Sequence, residues 1–378
     1  MNKREFLKLA SLAAVSLAGN RFIRKSPFLF RGRYEDKRKN WAWLSNDTKT
    51  SIDDWKSRFA NMRDAGINAI LPEIYNSRKA FYSSTRLPVA DAWLERILPL
   101  AKAEGLEVHA WMWSMPCNLD DIVNGHPDWF VVNRHGDSAA AKPAYVPYYK
   151  FLCPSHPEVR EFVRDTVEEL SAIRELDGIH LDYIRYPDVI LPEGLQPNYH
   201  LHQDREYPQF DYCYCDLCCH DFKEASGIDP RTIDDPSSNQ AWLQFRYDRI
   251  THLVNDALVP AAHNHGKKIS AAVFPNWKNV RQEWPAWNLD AVIPMLYAGF
   301  YNEGVDWIAD QTALEVKSLN GRIPLYSGLM VPQLKPDDLV KAVNAAVTAG
   351  AAGVSLFSGE SMSDEKWSAF KSAVVTKG

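Results

Sequence analysis

From about Asn40 to the C-terminus the chain repeats one unit eight times: a short apolar run rich in β-branched or aromatic residues, a polar loop, and an amphipathic stretch ending near a glycine. The apolar runs have strand length and the amphipathic stretches helical period, so each unit reads as a strand followed by a helix or by a loop leading to one. The spacing predicts strands at Trp41–Leu44, Ala69–Tyr75, Glu107–Trp113, Gly178–Tyr186, Lys268–Pro275, Ala291–Tyr297, Ile323–Leu329 and Gly353–Ser358. Helix signals agree: Ser51 precedes Ile52-Asp53-Asp54 as an N-cap, Asp64-Ala65-Gly66 supplies a C-terminal stop, and Pro157 and Pro336 stand in the first turns of later helices. Strict alternation implies parallel strands with right-handed crossovers, and eight such units close on themselves rather than forming an open sheet. The expected fold class is α/β, a single (β/α)8 TIM barrel over residues 40–378. No glycine-rich phosphate fingerprint supports a doubly wound alternative.

Two connections exceed what a crossover needs, residues 114–155 after strand 3 and residues 188–238 after strand 4. Both leave the C-terminal ends of strands, the rim that carries the active site in this architecture, so they are expected to shape a cleft. Residues 1–18 read as an export signal: Lys3 and Arg4, an apolar run from Phe6, and small residues at Ser16 and Ala18. Asn2-Lys3-Arg4-Glu5-Phe6-Leu7-Lys8 is Tat-like, with Lys3 in place of the first arginine. Residues 19–39 form a basic linker. The expected location is periplasmic or extracellular, and no later segment is apolar enough for membrane insertion. A net charge of -5 excludes the basic field that a nucleic-acid partner requires. The 13 Trp and 16 Tyr exceed what a core of this size needs, and their flat amphipathic faces suit sugar rings.

The strongest local signal is Asp177-Gly178-Ile179-His180-Leu181-Asp182-Tyr183-Ile184-Arg185-Tyr186-Pro187. Buried-strand alternation is broken near its end by Asp182 and Arg185, and a charge there is costly unless paired or used. An Asp182–Arg185 ion pair at the rim is the structural alternative. Asp177, at the strand entry, belongs to the end of a barrel that serves stability.

This stretch resembles the signature of the family 10 glycosyl-hydrolase-like barrels. His109-Ala110-Trp111, Pro294-Met295-Leu296-Tyr297 and Gly353-Val354-Ser355-Leu356-Phe357-Ser358 add matches in order, over about residues 40–370. The resemblance implies a (β/α)8 glycoside hydrolase relative acting on an oligo- or polysaccharide, with Asp182 at the position of the nucleophile in related retaining barrels.

Glycosidic cleavage needs a second carboxyl group as proton donor. The strand ends offer Glu73 and Glu360, and the fourth loop adds Asp211 and Asp216. Each has a structural alternative as a rim residue bonded to loop backbone. The candidate sugar-binding residues are Trp113, His109, Tyr183, Arg185, Asn276 and Tyr297, with Trp111, Trp277 and Tyr326 also near strand ends. His109 and His180 have a second reading as core histidines bonded to neighbouring carbonyls. No cofactor is called for, and no metal is assigned to the site. The cluster Cys213-Tyr214-Cys215-Asp216-Leu217-Cys218-Cys219-His220 supports two structural readings. The first is disulfides, reaching Cys117 or Cys153; the second is a soft metal held by Cys213, Cys215, Cys218 and His220. In an exported chain the disulfides take precedence. The function expected is an exported glycoside hydrolase with a two-carboxylate mechanism; the alternative is a non-catalytic barrel that binds glycans.

Overall fold

A computed structural model describes residues 38–375. The export signal and most of the linker lie outside the described residues. Eight strands run parallel in the order β6-β5-β4-β3-β2-β1-β8-β7. They are β1 (Trp41–Leu44), β2 (Ala69–Tyr75), β3 (Glu107–Trp113), β4 (Gly178–Asp182), β5 (Lys268–Val273), β6 (Ala291–Pro294), β7 (Ser327–Met330) and β8 (Val354–Phe357). The seam between β6 and β7 is closed by the isolated parallel bridges Val292↔Leu325 and Met295↔Gly328 rather than by a full ladder. The fold is therefore a TIM barrel.

Helices α1 (Ile52–Asp64) and α2 (Trp93–Ala103) follow β1 and β2. The long loop after β3 holds the short α3 (Asp120–Gly125) and leads into α4 (Pro157–Ser171). After β4 come α5 (Asp216–Ser226), α6 (Gln240–Leu253) and α7 (Val259–His263), the last two joined by one π-helical turn. Helices α8 (Val305–Leu319), α9 (Pro336–Thr348) and α10 (Asp364–Val374) follow β6, β7 and β8. Between β5 and β6 the crossover shrinks to two 3-10 turns, Trp277–Val280 and Trp284–Ala286. The caps follow the sequence signals: Ser51 accepts the Asp54 N–H, which satisfies one of the free donors of the first turn. Among the described residues no helix is long and apolar enough to cross a membrane.

Strands 1 to 3 have the expected limits, but the expected strand 4 ends early. Tyr183 adopts φ +50, a left-handed conformation that takes the backbone out of the pleat. The chain leaves the sheet immediately after Asp182. Strand 7 instead starts late, at Ser327, because the preceding residues make only bridge contacts at the seam.

The barrel interior is filled from bottom to top by large side chains, so it is a packed core and not a pore. In the lowest layer Trp41 packs on His109 and on Tyr326, with ring centroids 4.7 and 5.2 Å apart. Gly178 makes room for this, since a Cβ there would lie 2.3 Å from His109 Nδ1. Above it Trp43 of β1 reaches across to His180 of β4 at 5.6 Å, passing over Gly328, which has no side chain to obstruct it. His180 Nδ1 bonds the Ser270 hydroxyl at 2.9 Å, and burial drives its pKa down to about 3. His180 is thus a neutral core residue.

Candidate active site

Alternation along each strand decides what reaches the mouth. With His180 pointing inward, Asp182 also points inward, one layer higher, at the last position of β4. Register places Asp182 opposite Trp113 on β3, and Trp111, two residues earlier, opposite Glu73 on β2. Strands β2 and β4 flank β3, so the two carboxyl groups rise on either side of the same tryptophan pair. Their fields overlap, for the Asp182 charge pushes the Glu73 carboxyl further up.

The two groups receive different partners. Asp182 Oδ2 accepts the Trp111 indole N–H at 3.0 Å and Oδ1 accepts the Tyr183 backbone N–H at 2.7 Å. The Tyr183 bond is a product of the left-handed turn, which folds that amide back onto the preceding side chain. Burial pushes the Asp182 pKa up to about 6, partly opposed by the Tyr183 N–H, the Arg185 charge and Trp111. Glu73 is 8% exposed. It accepts the Asn46 side-chain amide and is raised first by burial, with Asn46 and Trp113 pulling it back and Asp182 adding to the rise. Asp182 holds two donors that favour its ionised form and lies in the field of a cation. Glu73 faces an anion. Burial raises both carboxyl groups, and both accept hydrogen bonds that pull them back.

Around this pair the aromatics divide into floor and wall. Phe357, ending β8, lies 5.8 Å from Trp43, 6.3 Å from Trp111 and 5.8 Å from Tyr297. The Tyr297 hydroxyl stays protonated through burial and the nearby Asp182 charge, so it remains a donor beside that carboxylate. The wall comes from the end of β3, the loop after it and the turn after β4: Trp113 packs on Tyr183 at 4.6 Å and on Tyr148 at 5.8 Å. Trp113, Tyr183 and Tyr148 are each partly exposed, offering flat faces toward the mouth.

Of the expected site residues, Asp182, Glu73, Trp113, Tyr183 and Tyr297 come together. His109 does not. It is 1% exposed and bonds Glu107 at 3.3 Å, at the entry of β3, where Glu107 also pairs with Lys39 and Lys268. That end lies two layers below Asp182 and no substrate at the rim reaches it. Tyr326 sits in the same lower layer against Trp41. Arg185 is also withdrawn: it is 4% exposed, bonds Asp188 at 2.9 Å, and stacks against Phe274 and Tyr183 at 4.8 and 5.2 Å. Its ion-pair partner is Asp188, not Asp182.

Glu360 is exposed on the turn after β8 and accepts the Ser45 N–H at 2.9 Å. It lines a recess with Trp55, Arg58 and Met62 of α1, on the outer side of the barrel, so the sequence-based choice of Glu360 as acid is corrected. Asp211 is buried against Arg246 and Arg281, and Asp216 is exposed beside Arg231; neither serves the pair. Asn276 is exposed on the loop after β5, and Trp277 packs on Tyr247. Asp177 accepts the Val108 N–H at 2.7 Å and pairs with Lys102, the structural role its position implies. Asn46 was missed by sequence reasoning. It stands two residues beyond β1, and counting polar residues just past every strand end would have found it. The disulfide reading is corrected as well: all six cysteines are free, and His220 is exposed.

A closed parallel barrel with two inward carboxyl groups and an aromatic wall at its C-terminal mouth has the layout of a glycoside hydrolase-like protein. The sequence pattern of the glycosyl hydrolase-like 10 family matches residues 36–341, and the chain belongs to that family. It is 25% identical over 206 residues to the glycosyl hydrolase YngK of Bacillus subtilis, a match covering 46% of this chain and 38% of that protein. The chain thus matches well under half the length of that relative. The glycoside hydrolase domain of PgaB (BpsB) from Bordetella bronchiseptica superposes with a TM-score of 0.67 at 14% identity, over 90% of this chain and 99% of that one. The catalytic domain of the β-amylase of Paenibacillus polymyxa gives a TM-score of 0.62 at 11% identity, over 90% and 98%. At such identities the structural likeness concerns the fold.

Proposed function

We propose that the chain is an exported glycoside hydrolase cleaving an O-glycosidic bond in an oligo- or polysaccharide, with Asp182 as nucleophile or electrostatic stabiliser and Glu73 as general acid/base. One observation carries this reading: two inward carboxyl groups share one mouth, both raised by burial, with Asp182 in the field of Arg185 and Glu73 in the field of Asp182. Separating two carboxyl groups into acid and base by environment is what glycosidic cleavage requires. The Glu73 O–H gives its proton to the leaving oxygen while Asp182 faces the positive charge developing at the anomeric carbon. Once water enters, Glu73 takes a proton back. Trp113, Tyr183 and Tyr148 supply faces for the sugar ring, and Trp111 with the Tyr183 N–H keeps Asp182 aimed. The family membership and the glycosidase fold neighbours support the same class, and the leader-like residues 1–18 support export.

The acid role has a specific test. Glu73→Gln is expected to lower hydrolysis of alkyl or sugar leaving groups by about 10²–10⁴-fold, while a dinitrophenyl glycoside, whose leaving group needs no proton, loses less than about tenfold. Equal losses on both substrates would remove Glu73 from the role. The pH profile is a second check. Because Asp182 works ionised and its pKa lies at about 6, kcat/KM should fall as pH drops through about 6. A base limb, where Glu73 loses its proton, should be present in the wild type and absent from Glu73→Gln. A profile flat from pH 4 to 9 contradicts the pair.

A further inference from the structure

Away from the mouth, the loop after β3 and the loop after β4 meet at a cluster of sulfur atoms. Cys153 comes from the first loop; Cys213, Cys215 and Cys218 come from the second, the last in the first turn of α5. All four are buried, and their sulfur atoms lie within 4.8 Å of one another. Cys153 Sγ is 3.4 Å from Cys218 Sγ and 3.7 Å from Cys215 Sγ. A disulfide needs sulfurs about 2.05 Å apart. A tetrahedral ion with metal–sulfur bonds of about 2.3 Å sets its ligand sulfurs about 3.8 Å apart. The observed spacing is that of four ligands around a single ion.

The surroundings point the same way. Backbone N–H groups of Val132 and Cys215 are directed at Cys213 Sγ at 3.4 and 3.5 Å, and the Cys218 N–H at Cys215 Sγ at 3.5 Å. The Ser155 hydroxyl lies 3.1 Å from Cys218 Sγ. A neutral thiol is a weak acceptor, whereas a thiolate is a strong one, so donors converging on sulfur mark a place built for negative charge. The N-terminus of α5, capped by the Cys215 side chain, adds its partial positive charge. Four thiolates packed this closely repel one another unless a cation stands between them.

We propose that Cys153, Cys213, Cys215 and Cys218 bind one zinc ion as a closed, structural four-thiolate site. Borderline-soft zinc with no geometric preference of its own suits an all-sulfur tetrahedron, and four protein ligands leave no open position for catalysis. This replaces His220 by Cys153 in the ligand set that spacing alone suggests. It also gives the chain a metal where none was expected from its active-site residues. The ion ties the two long loops together: Cys153 follows Phe151 by two residues, and Phe151 packs on Tyr183 at 6.2 Å. The site therefore fixes the wall of the cleft. Cys117 and Cys219 take no part; Cys219 Sγ instead donates to the Tyr214 carbonyl at 3.4 Å.

Metal analysis of the full chain, purified with zinc in the medium and then exhaustively desalted, is the deciding experiment. The expected result is about one zinc per chain, with X-ray absorption showing four sulfur neighbours at about 2.3 Å. Zinc should persist in Cys117→Ser and Cys219→Ser and be lost from Cys153→Ser and Cys218→Ser. Denaturation with a chelator and an alkylating agent, without reductant, should label all six cysteines. Wild-type protein without zinc, or with only two cysteines open to alkylation, overturns the proposal in favour of two disulfides. Neither wild-type readout depends on a variant folding or on activity.

Discussion

Asp182→Asn is expected to lower turnover by on the order of 10⁴-fold on any glycoside the wild type cleaves, the scale seen when one member of a catalytic set is removed. The substitution keeps shape and volume and removes only the charge. Asn can still accept one of the two N–H donors that hold Asp182, from Trp111 and Tyr183, while its amide nitrogen turns toward the other. Losing one hydrogen bond costs about 1 kcal/mol, and removing a buried charge offsets part of that. The melting temperature should therefore stay within a few degrees of wild type. The measurement is side-by-side incubation of both proteins with polysaccharides and aryl glycosides, reading reducing ends and products, with circular dichroism melts as control. Undiminished turnover in the variant ends the two-carboxylate mechanism. Binding without turnover in both proteins would make the barrel a glycan-binding module.

The second large effect lies outside the mouth. Asp211 was a possible acid on sequence grounds, yet it is almost fully buried and bonds Arg246, Arg281 at 3.3 Å and the Tyr214 hydroxyl at 2.6 Å. Burial opposes its ionisation, but the two guanidinium groups prevail and hold its pKa below the usual carboxylate range. Asp211→Asn leaves the buried Arg246 without a counter-charge and Arg281 with Glu206 alone. That is expected to cost about 3–5 kcal/mol, read as a lowered denaturant midpoint with activity per folded molecule preserved. Asp216→Asn is the contrast: its carboxylate is exposed beside Arg231, and its loss should change stability by less than about 0.5 kcal/mol. Similar effects from the two substitutions would show that the Asp211 network does not support the fourth loop.

Much of this was legible beforehand. The eight strands, the parallel order and the place of Asp182 at the end of β4 follow from local pattern, because strand and helix periods are written in neighbouring residues and a charge at the end of an apolar strand stands out. Glu73 was legible as a candidate for the same reason. Its distinction from Glu360 was not. Both stand near the C-terminal ends of barrel strands, Glu73 within β2 and Glu360 on the turn after β8, and only closure of the barrel points one side chain into the mouth and leaves the other on the outer recess with α1. His109 misled for a related cause: a polar residue within a strand looks alike at either end, and depth in the barrel is a property of register against neighbours. Arg185 misled because the turn at Tyr183 takes it out of the strand and onto Asp188.

By itself, then, the sequence determined the barrel and the carboxylate at the end of strand 4, both consequences of periodicity, composition and short-range chemistry. The tertiary structure alone decided that Glu73 and Asp182 share one mouth, that Arg185 turns to Asp188, and that Cys153 joins three cysteines about sixty residues away. Those pairings depend on how β2, β3 and β4 lie side by side and on where two long loops meet. No local pattern encodes such distances, because loop closure makes contacts between segments whose separation along the chain says nothing about their separation in space.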